Sequence, residues 1–404
     1  MMSARGLARA AVLAAVWSLA GGAGAAVYTI QDLGVLPGCD SSTASGINNN
    51  GRVVGVSEVP HPPDAYLDDH TPNPFYLDRG GSMMCLGTFS TYYHSYALGV
   101  NSAGTVVGST ENTSTARDHA CRWVNGVLQD LGALYTWGYS TAEAINDHDQ
   151  IVGVSSTASL QNRAFLWQNG VMEDLGALAG YTYGSRANAI NNFGQVAGFS
   201  WSADYTYHAF LWQDGTMQDL GVLGTGRSSF AHGINDLGQV VGGSYCSAGS
   251  YLEHAFLWQN GAMQDLGSLD GTGGASEAEA INQLGQVVGW STILGGDTSH
   301  AFLWQHGAMQ DLGSLGHWEI WHEGWLEILP PPDPEGPPIE IWHEGYWEIR
   351  DYSVAYAIND LGEIVGISTG ADGELRAVLW VPEPATLLLL ALGGLAAILR
   401  RRGR

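Results

Sequence analysis

The sequence contains no lysine, so all of its 15 basic residues are arginines, and they stand against 40 acidic residues. Six of the arginines lie in the two ends of the chain. Without those ends, 9 arginines face 39 acidic residues, which gives a net charge of −30. A surface of this charge repels nucleic acid and anionic lipid. We therefore expect no nucleic-acid partner, and a surface that favours solubility or attracts divalent cations.

Cysteine is also scarce. Cys39, Cys85, Cys121 and Cys246 are irregularly spaced and include no CxxC pair, so the sequence indicates neither a metal cluster nor a redox motif. In an oxidising compartment four cysteines allow three disulfide pairings, and the sequence does not choose between them. Phosphate-binding loops and an ordered Ser/His/Asp set are lacking as well, so no cofactor is indicated.

The first 26 residues have the three-part pattern of a secretory signal. Arg5 and Arg9 precede the apolar run from Ala10 to Ala20, and Ala23-Gly24-Ala25 forms a small-residue cleavage site. A charged start, a short apolar run and small residues at the cut are typical of exported proteins. We expect residues 1–26 to be removed after export.

The other end of the chain is built from three parts in a fixed order. Pro382-Glu383-Pro384 precedes the apolar run Ala385 to Leu399, and Arg400, Arg401 and Arg402 follow. At roughly 1.5 Å per residue this run is too short for a comfortable crossing of a bilayer core about 30 Å thick. The arginines would remain on the cytoplasmic side.

This tail, residues 382–404, resembles the PEP-CTERM sorting signal of Gram-negative bacteria. The resemblance implies Sec export, transient anchoring in the inner membrane and processing near Pro382-Glu383-Pro384 by an exosortase-type protease. It also implies release to the cell surface or medium, as for proteins linked to extracellular polysaccharide.

Between the two ends, one cassette recurs seven times. An asparagine in an AIN-type strand is followed seven residues later by the glycine of a QVVG-type strand, and another glycine stands between them in six copies. Asparagine and glycine between two apolar runs favour a tight hairpin turn. The anchor asparagines are Asn48, Asn101, Asn146, Asn191, Asn235, Asn282 and Asn359.

The second half of the cassette is a HAFLW-type strand, a two-residue turn and a D-L-G strand. The last HAFLW-type strand, at 376–380, has no D-L-G partner, whereas the first D-L-G strand, Val27 to Gly34, has no HAFLW strand of its own. The counts balance only if the first strand completes the last unit, which closes a ring and removes exposed sheet edges. Residues 27–381 are therefore predicted to form an all-β, seven-bladed β-propeller of four-stranded blades.

The cassette resembles the bacterial extracellular HAF repeat, named for the His-Ala-Phe found at 208–210, 254–256 and 300–302. The resemblance implies an exported repeat protein without assigned catalytic residues. Arg163 and Arg376 replace the histidine in two copies, so we do not expect that histidine to be an obligatory ligand. The tryptophans and turn asparagines of the cassette are predicted to be structural.

Two insertions interrupt the period, and both fall in connections on the same face of the predicted disc. Variable loops on a rigid scaffold commonly carry binding function. The insertion at 317–349 nearly duplicates an EIWHEG segment around a proline-rich crossing, which predicts two β-rich arms. Exposed rings of this density suggest a contact surface for a partner or a glycan. Packing of these rings on each other or on the disc is the alternative. The predicted binding surface comprises Trp318, Trp321, Trp325, Trp342, Tyr346 and Trp347.

The other insertion, Val59 to Pro74, contains Asp64, Asp68 and Asp69. Carboxylates suit Ca²⁺, but the spacing is not that of an EF-hand, so a solvated acidic loop is the preferred interpretation. The His-Glu pairs at 322–323 and 343–344 do not form HExxH, so zinc is not indicated there.

The sequence leaves three functions open. The first is a non-enzymatic propeller that binds protein or polysaccharide in the envelope or extracellular matrix. The second is a polysaccharide hydrolase or lyase with its site in the central channel, which should break the cassette with unique acids or bases there. The cassettes look nearly interchangeable, with Asp149 the clearest break, so the first is preferred. An acidic, calcium-stabilised matrix protein is the third.

Overall fold

The computed structural model describes residues 27–59, 72–89, 94–112, 114–247, 252–271, 273–293, 298–316 and 351–383, together with four short strands between 318 and 350. Within these residues the secondary structure consists of strands, and none of them forms a helix able to cross a membrane. Seven four-stranded antiparallel sheets are arranged as a β-propeller. The predicted fold class and blade number are confirmed.

Within each blade the strands pair in chain order, from the channel outwards, after an initial strand β1 (Tyr28–Asp32). The first two blades contain β2 (Ser41–Ile47), β3 (Val53–Glu58), β4 (Pro72–Leu77), β5 (Met84–Cys85), β6 (Ser95–Val100), β7 (Val106–Asn112), β8 (Arg117–Val124) and β9 (Val127–Gly132). The third and fourth contain β10 (Ser140–Ile145), β11 (Ile151–Ser156), β12 (Asn162–Gln168), β13 (Val171–Asp174), β14 (Gly184–Ile190), β15 (Val196–Trp201), β16 (Tyr207–Gln213) and β17 (Thr216–Asp219).

The remaining blades follow the same plan. The fifth and sixth contain β18 (Ser229–Ile234), β19 (Val240–Tyr245), β20 (Glu253–Gln259), β21 (Ala262–Asp265), β22 (Ser276–Ile281), β23 (Val287–Thr292), β24 (Ser299–Gln305) and β25 (Ala308–Asp311). An inserted arm contains β26 (Trp318–His322), β27 (Trp325–Leu329), β28 (Ile339–His343) and β29 (Tyr346–Arg350). The seventh blade contains β30 (Ser353–Ile358), β31 (Ile364–Thr369) and β32 (Leu375–Pro382), with β1 as its outermost strand.

The first strand, β1, completes the seventh and last blade. β1 pairs antiparallel with β32, and the register places Tyr28 opposite Pro382 and Asp32 opposite Val378. Beyond the strand, the backbone N–H of Leu33 donates to the carbonyl of Ala377 at 2.9 Å. The predicted closure of the ring by the N-terminal strand is therefore present.

Each second strand is buried on both faces, which explains its continuous apolar sequence. The glycine of QVVG lies where the neighbouring innermost strand approaches most closely: a Cβ on Gly153 would lie 1.9 Å from the carbonyl oxygen of Thr141, and one on Gly289 would lie 1.9 Å from that of Glu277. No side chain fits there, so the glycine seven residues after each anchor asparagine is required by backbone contact.

The core lies between neighbouring blades. The phenylalanine of HAFLW is fully buried in five blades, and Cys121 and Val378 occupy the same position in the other two, also at 0% exposure. In six blades a serine near the start of the innermost strand links it to the preceding blade: Ser229, for example, accepts a hydrogen bond from the N–H of Ala209 and donates to the carbonyl of Gly221. The expectation that Cys121 is a packing residue agrees with this position.

The arm at 318–350 is a single interrupted hairpin. β26 pairs with β29 and β27 with β28, so the first half of one copy of the duplication pairs with the second half of the other. The register places Trp321 opposite Trp347 and Leu326 opposite Trp342. The sequence predicts two β-rich arms. They form one arm because the second copy runs back along the first.

Candidate ligand site in the central channel

The innermost strands of the seven blades surround the channel, and each contains a β-bulge. The residue three positions before the anchor asparagine is skipped in the pairing, as at Glu143 between Ala142 and Ala144. A bulge redirects its extra side chain, and bulges recur beside functional sites. The bulged residue lines the channel in every blade, and only glutamate occurs there twice: Ser45, Leu98, Glu143, Asn188, His232, Glu279 and Tyr356.

One hydrogen-bonded group in the channel is centred on Glu277. Nε2 of His232 donates to its Oε1 at 2.8 Å, and Nε1 of Trp290 donates to its Oε2 at 3.2 Å. Burial alone would lower the pKa of His232, but the hydrogen bond to Glu277 and the charges of Glu279, Glu277 and Glu253 outweigh burial and raise this pKa to about 9. His232 is therefore a cation held between carboxylates at neutral pH.

Glu253 reaches this group through a gap in the second strand of its blade. At the position of Gly243 the other six blades carry Val, Ser, Val, Phe, Trp and Ile, and a Cβ on Gly243 would lie 2.2 Å from Oε1 of Glu253. That oxygen is buried and has no hydrogen-bond partner among the described residues. Burial, together with the charge of Glu277, raises the pKa of Glu253 to about 7.

Glu279 lies on the same side of the channel. Burial and the neighbouring Glu277 raise its pKa to about 7, although His232 acts in the opposite direction. Glu277 behaves differently: burial would raise its pKa, but the hydrogen bonds from His232 and Trp290 hold it below its ordinary value. Two carboxyls with raised pKa values therefore lie beside one whose pKa is lowered. Such a difference in pKa between neighbouring carboxyls is typical of acid and base pairs.

A second charged pair lies elsewhere on the channel wall. Nη2 of Arg186 donates to Oε1 of Glu143 at 2.6 Å, and Nδ2 of Asn188 donates to the carbonyl oxygen of Ala231 at 2.8 Å. Burial raises the pKa of Glu143, and the charge of Arg186 opposes that shift. The amide and the guanidinium place hydrogen-bond donors beside the carboxylate on this part of the wall.

Aromatic rings complete the lining. Phe199 and Phe230 meet edge to face with centroids 5.2 Å apart, and Tyr245 lies 6.4 Å from Phe230. Tyr356 comes from the seventh blade, where burial raises the pKa of its hydroxyl. These rings and the charged groups enclose a cavity of about 680 Å³. The cavity has the size of a ligand site, and its lining combines aromatic rings with convergent polar and charged groups.

The anchor asparagines form a ring at the other end of the channel, where a second cavity of about 180 Å³ lies. The side-chain amide of each donates to the main-chain carbonyl of the next, as from Asn191 to Asn235 at 3.0 Å. Their side-chain oxygens accept from their own turns, so the asparagines serve both as turn residues and as a ring between blades. The remaining bonds of the ring run from Asn48 to Asn101, Asn101 to Asn146, Asn146 to Asn191, Asn235 to Asn282, Asn282 to Asn359 and Asn359 to Asn48.

The histidines of the HAF strands lie between strands within a blade. Nδ1 of His208 contacts the carboxylate of Asp219 in D-L-G at 2.8 Å, and His119, His254 and His300 make the corresponding contact in their blades. This agrees with the expectation that the histidine of the cassette has a structural role. The HAFLW tryptophans are buried at 0% to 9% exposure in five blades, as predicted.

The predicted site residues fall in different parts of the molecule. The aromatic residues of the predicted binding surface lie on β26 to β29, where the backbone pairing is described. Asp64, Asp68 and Asp69 lie outside the described residues, as do Pro384, Arg400, Arg401 and Arg402. Pro382 ends β32, and the N–H of Glu383 donates to the carbonyl of Val27.

One interpretation of the sequence needs correction, namely that the cassettes are nearly interchangeable. Asp149 lies in a turn rather than in the lining of the main channel cavity: it replaces a glycine at φ 58° and accepts a hydrogen bond from the side chain of Asn101. The cassettes differ at the bulged channel position, which carries six residue types in the seven blades. A comparison of the seven units at the residue three positions before the anchor asparagine would have revealed this difference, as would the extra glycine at 243. The four cysteines are free in the structure, so none of the three pairings is present.

Comparison with known proteins identifies one part of the chain by sequence. The family model of the PEP-CTERM protein-sorting motif matches residues 381–402. The chain carries a PEP-CTERM sorting motif. This motif indicates export and transient membrane anchoring in a Gram-negative bacterium, and processing by exosortase, a membrane protease. The comparison with curated proteins gives no match, and the resemblance to HAF repeats stays a prediction.

Solved structures resemble the propeller in fold alone. The β-propeller domain of the Trilobed protease from Pyrococcus furiosus, described as having an open velcro topology, is 8% identical with a TM-score of 0.50; the alignment covers 84% of this chain and 96% of that one. A puromycin-hydrolysing peptidase from Mycobacterium tuberculosis is 12% identical with a TM-score of 0.51, at 86% and 52% coverage. This chain therefore spans about half of that peptidase's length.

Proposed function

We propose that this exported propeller binds a saccharide of the cell envelope or extracellular matrix in its central channel. The observation that carries the proposal is the contrast between scaffold and lining. Turn, core and interblade positions repeat from blade to blade, whereas the bulged channel position carries six residue types in the seven blades. A purely structural ring needs no such variety, because repeated blades pack equally well with a repeated lining.

The chemistry of the lining favours a polar, ring-shaped ligand. Phe230, Tyr245 and Tyr356 offer flat apolar faces, and Glu253, with its unpartnered oxygen, offers an acceptor for a hydroxyl group. Aromatic rings contact apolar ring faces, while convergent polar groups fix the orientation of a ligand. Sugars present both kinds of surface, since C–H groups cover their faces and hydroxyls surround their edges.

The arm adds a second contact for the same class of ligand. It is inserted between β25 and β30, in the connection that leads to the start of an innermost strand. The cavity also lies towards the starts of those strands, since its lining includes the positions three and five before the asparagine. A polysaccharide chain held in the channel would leave on the face that carries the arm.

The test is a binding measurement with the full-length protein in detergent, using oligosaccharides released from the host exopolysaccharide as probes. Tyr356→Ala and Glu279→Gln should each weaken binding about tenfold, as expected for loss of about 1.4 kcal/mol. Val127→Thr, on an outer strand and 67% exposed, is the control and should bind normally. Deletion of residues 317–349 separates the contribution of the arm. Equal binding by the wild type and both channel variants would refute a channel site.

A hydrolase or lyase is the second candidate, and one observation favours it. Glu253 and Glu279 have pKa values raised to about 7, beside Glu277, whose pKa is lowered. Paired carboxyls that differ in this way can act as acid and base in glycan cleavage. The same oligosaccharides, incubated with the protein and analysed for shorter products, distinguish the two functions: binding without cleavage supports a binding protein, and cleavage abolished by Glu253→Gln supports an enzyme.

A further inference from the structure

One histidine of the HAF strands differs from the others in its surroundings. In the blades of His119, His208 and His300, Nδ1 contacts the aspartate of D-L-G, while Nε2 bonds to Thr115, Tyr181 and Asp351 respectively. His254 keeps the first contact, to Asp265 at 3.0 Å. The residue is only 9% exposed, and its Nε2 is buried without a hydrogen-bond partner in the part of the chain that the structure describes.

A cysteine stands beside this histidine. Donor atoms of Cys246, His254 and Asp265 all lie within 4.8 Å of one another, and these three residues form the one group of potential metal ligands found among the described residues. Cys246 follows the end of β19, His254 lies on β20 and Asp265 ends β21. Three adjacent strands of one blade therefore bring together a thiol, an imidazole and a carboxylate.

In the second blade the position of Cys246 is occupied by an asparagine. Asn112 is the counterpart of Cys246, four residues after the glycine of the second strand, and its amide donates to the carboxylate of Asp130, the partner of His119. Cys246 replaces that amide with a thiol, which is a weak donor. Asp265 loses the hydrogen bond that Asp130 receives, while the site gains a sulfur ligand.

We propose that Cys246, His254 and Asp265 bind one zinc ion. Thiolate, imidazole and carboxylate are the ligands that zinc takes in proteins, at about 2.3 Å for sulfur and about 2.0 to 2.2 Å for nitrogen and oxygen. Neighbouring ligands of such an ion are roughly 3.3 to 3.6 Å apart, so donor atoms within 4.8 Å of one another need only small side-chain rotations. Calcium is excluded as the resident ion because it takes oxygen ligands alone.

The site leaves one coordination position open. Three protein ligands and a water molecule complete a tetrahedral zinc, and Asp265 is exposed, so solvent reaches the ion. The metal would link β19, β20 and β21 at the end of the strand pair that also presents Glu253 to the channel. Zinc binding is therefore expected to stabilise the fifth blade.

The test uses the full-length protein in detergent, kept reduced and stripped of metal with a chelator. Zinc should bind at one ion per chain and raise the melting temperature. Cobalt should bind in its place and produce a thiolate-to-cobalt charge-transfer absorption. Cys246→Ser should remove this absorption and weaken zinc binding at least tenfold, since even the loss of a residue that only orients a ligand costs about 10- to 100-fold.

Two variants of the same chain serve as controls. Cys85→Ser removes an exposed cysteine of the first blade, and His208→Gln removes a histidine whose aspartate partner has no cysteine beside it. Both should bind zinc and cobalt as the wild type does. The proposal is overturned if the reduced wild type binds no zinc, if cobalt gives no thiolate absorption, or if Cys246→Ser binds zinc with unchanged affinity.

Discussion

The side-chain amide of Asn359 donates a hydrogen bond to the main-chain carbonyl of Asn48 at 3.1 Å, across 311 residues of sequence. The same bond joins each of the other anchor asparagines to the next, so the last blade is linked to the first as each blade is linked to its neighbour. The propeller is thus closed twice. β1 closes it at the outer edge, and the asparagine ring closes it at the channel.

Replacing one amide of this ring by an isosteric carboxylate should destabilise the whole propeller. Asn191→Asp keeps the side-chain oxygen that accepts from Phe193 and Gln195, but loses the donor to Asn235. We expect a loss of about 1 to 3 kcal/mol, since the carbonyl of Asn235 loses one of its two donors, keeps the turn bond from Gly238, and faces a buried charge. Thermal unfolding measures it. Asn169→Asp, in an exposed outer turn, should melt like the wild type.

A methyl group on a second-strand glycine should be poorly tolerated. Gly289→Ala would place its Cβ 1.9 Å from the carbonyl oxygen of Glu277, which belongs to backbone and cannot move aside cheaply. We expect a destabilisation of about 3 kcal/mol, at the upper end for overpacking. Gly273→Ala is the matched control, because its Cβ would meet nothing within 4 Å. Denaturant unfolding measures the stability of both variants. Equal stability of the two would contradict the prediction.

Filling the gap at Gly243 should affect ligand binding more than stability. Gly243→Ala would place a Cβ 2.2 Å from the carboxylate of Glu253, and the end of that side chain can swing away. We expect a folded protein, within about 1 kcal/mol of the wild type, that binds oligosaccharide at least about tenfold more weakly. Calorimetry of binding and unfolding checks both parts, and unchanged binding would remove Glu253 from the site.

The raised pKa of Glu279 makes a prediction about pH. Its ordinary pKa is 4.5 and its folded value is about 7, so between these values the folded protein holds a proton that the unfolded chain has lost. Stability therefore falls as pH rises through this window. Glu279→Gln removes this contribution and should be more stable than the wild type by about 1 to 3 kcal/mol at pH 8, but not at pH 4.

Melting curves between pH 4 and pH 8 measure this difference. Glu173→Gln is the control, since it removes one negative charge from an exposed position of an outer strand. It should leave the pH dependence of the wild type unchanged. If Glu279→Gln kept the same slope as well, burial of that carboxyl would not be coupled to folding.

The number of strands of each type in the repeat determined the predicted fold. Seven anchor asparagines, seven HAFLW-type strands and a D-L-G strand at the wrong end leave one arrangement in which every strand has a neighbour, and β1 on β32 is that arrangement. The sorting motif could also be recognised from the sequence, because Pro382-Glu383-Pro384, the apolar run and the arginine cluster follow one another within 23 residues. These features are local or periodic, so they can be recognised without coordinates.

The site depended on the tertiary structure. A bulge turns Glu143, His232 and Glu279 into the channel, and period-2 alternation along a strand gives no sign of it. Glu253 belongs to a third strand and reaches the lining only because Gly243 leaves space. The zinc ligands come from three strands without motif spacing. Periodicity determined which strands pair, whereas side-chain contacts between strands and blades determined which residues meet.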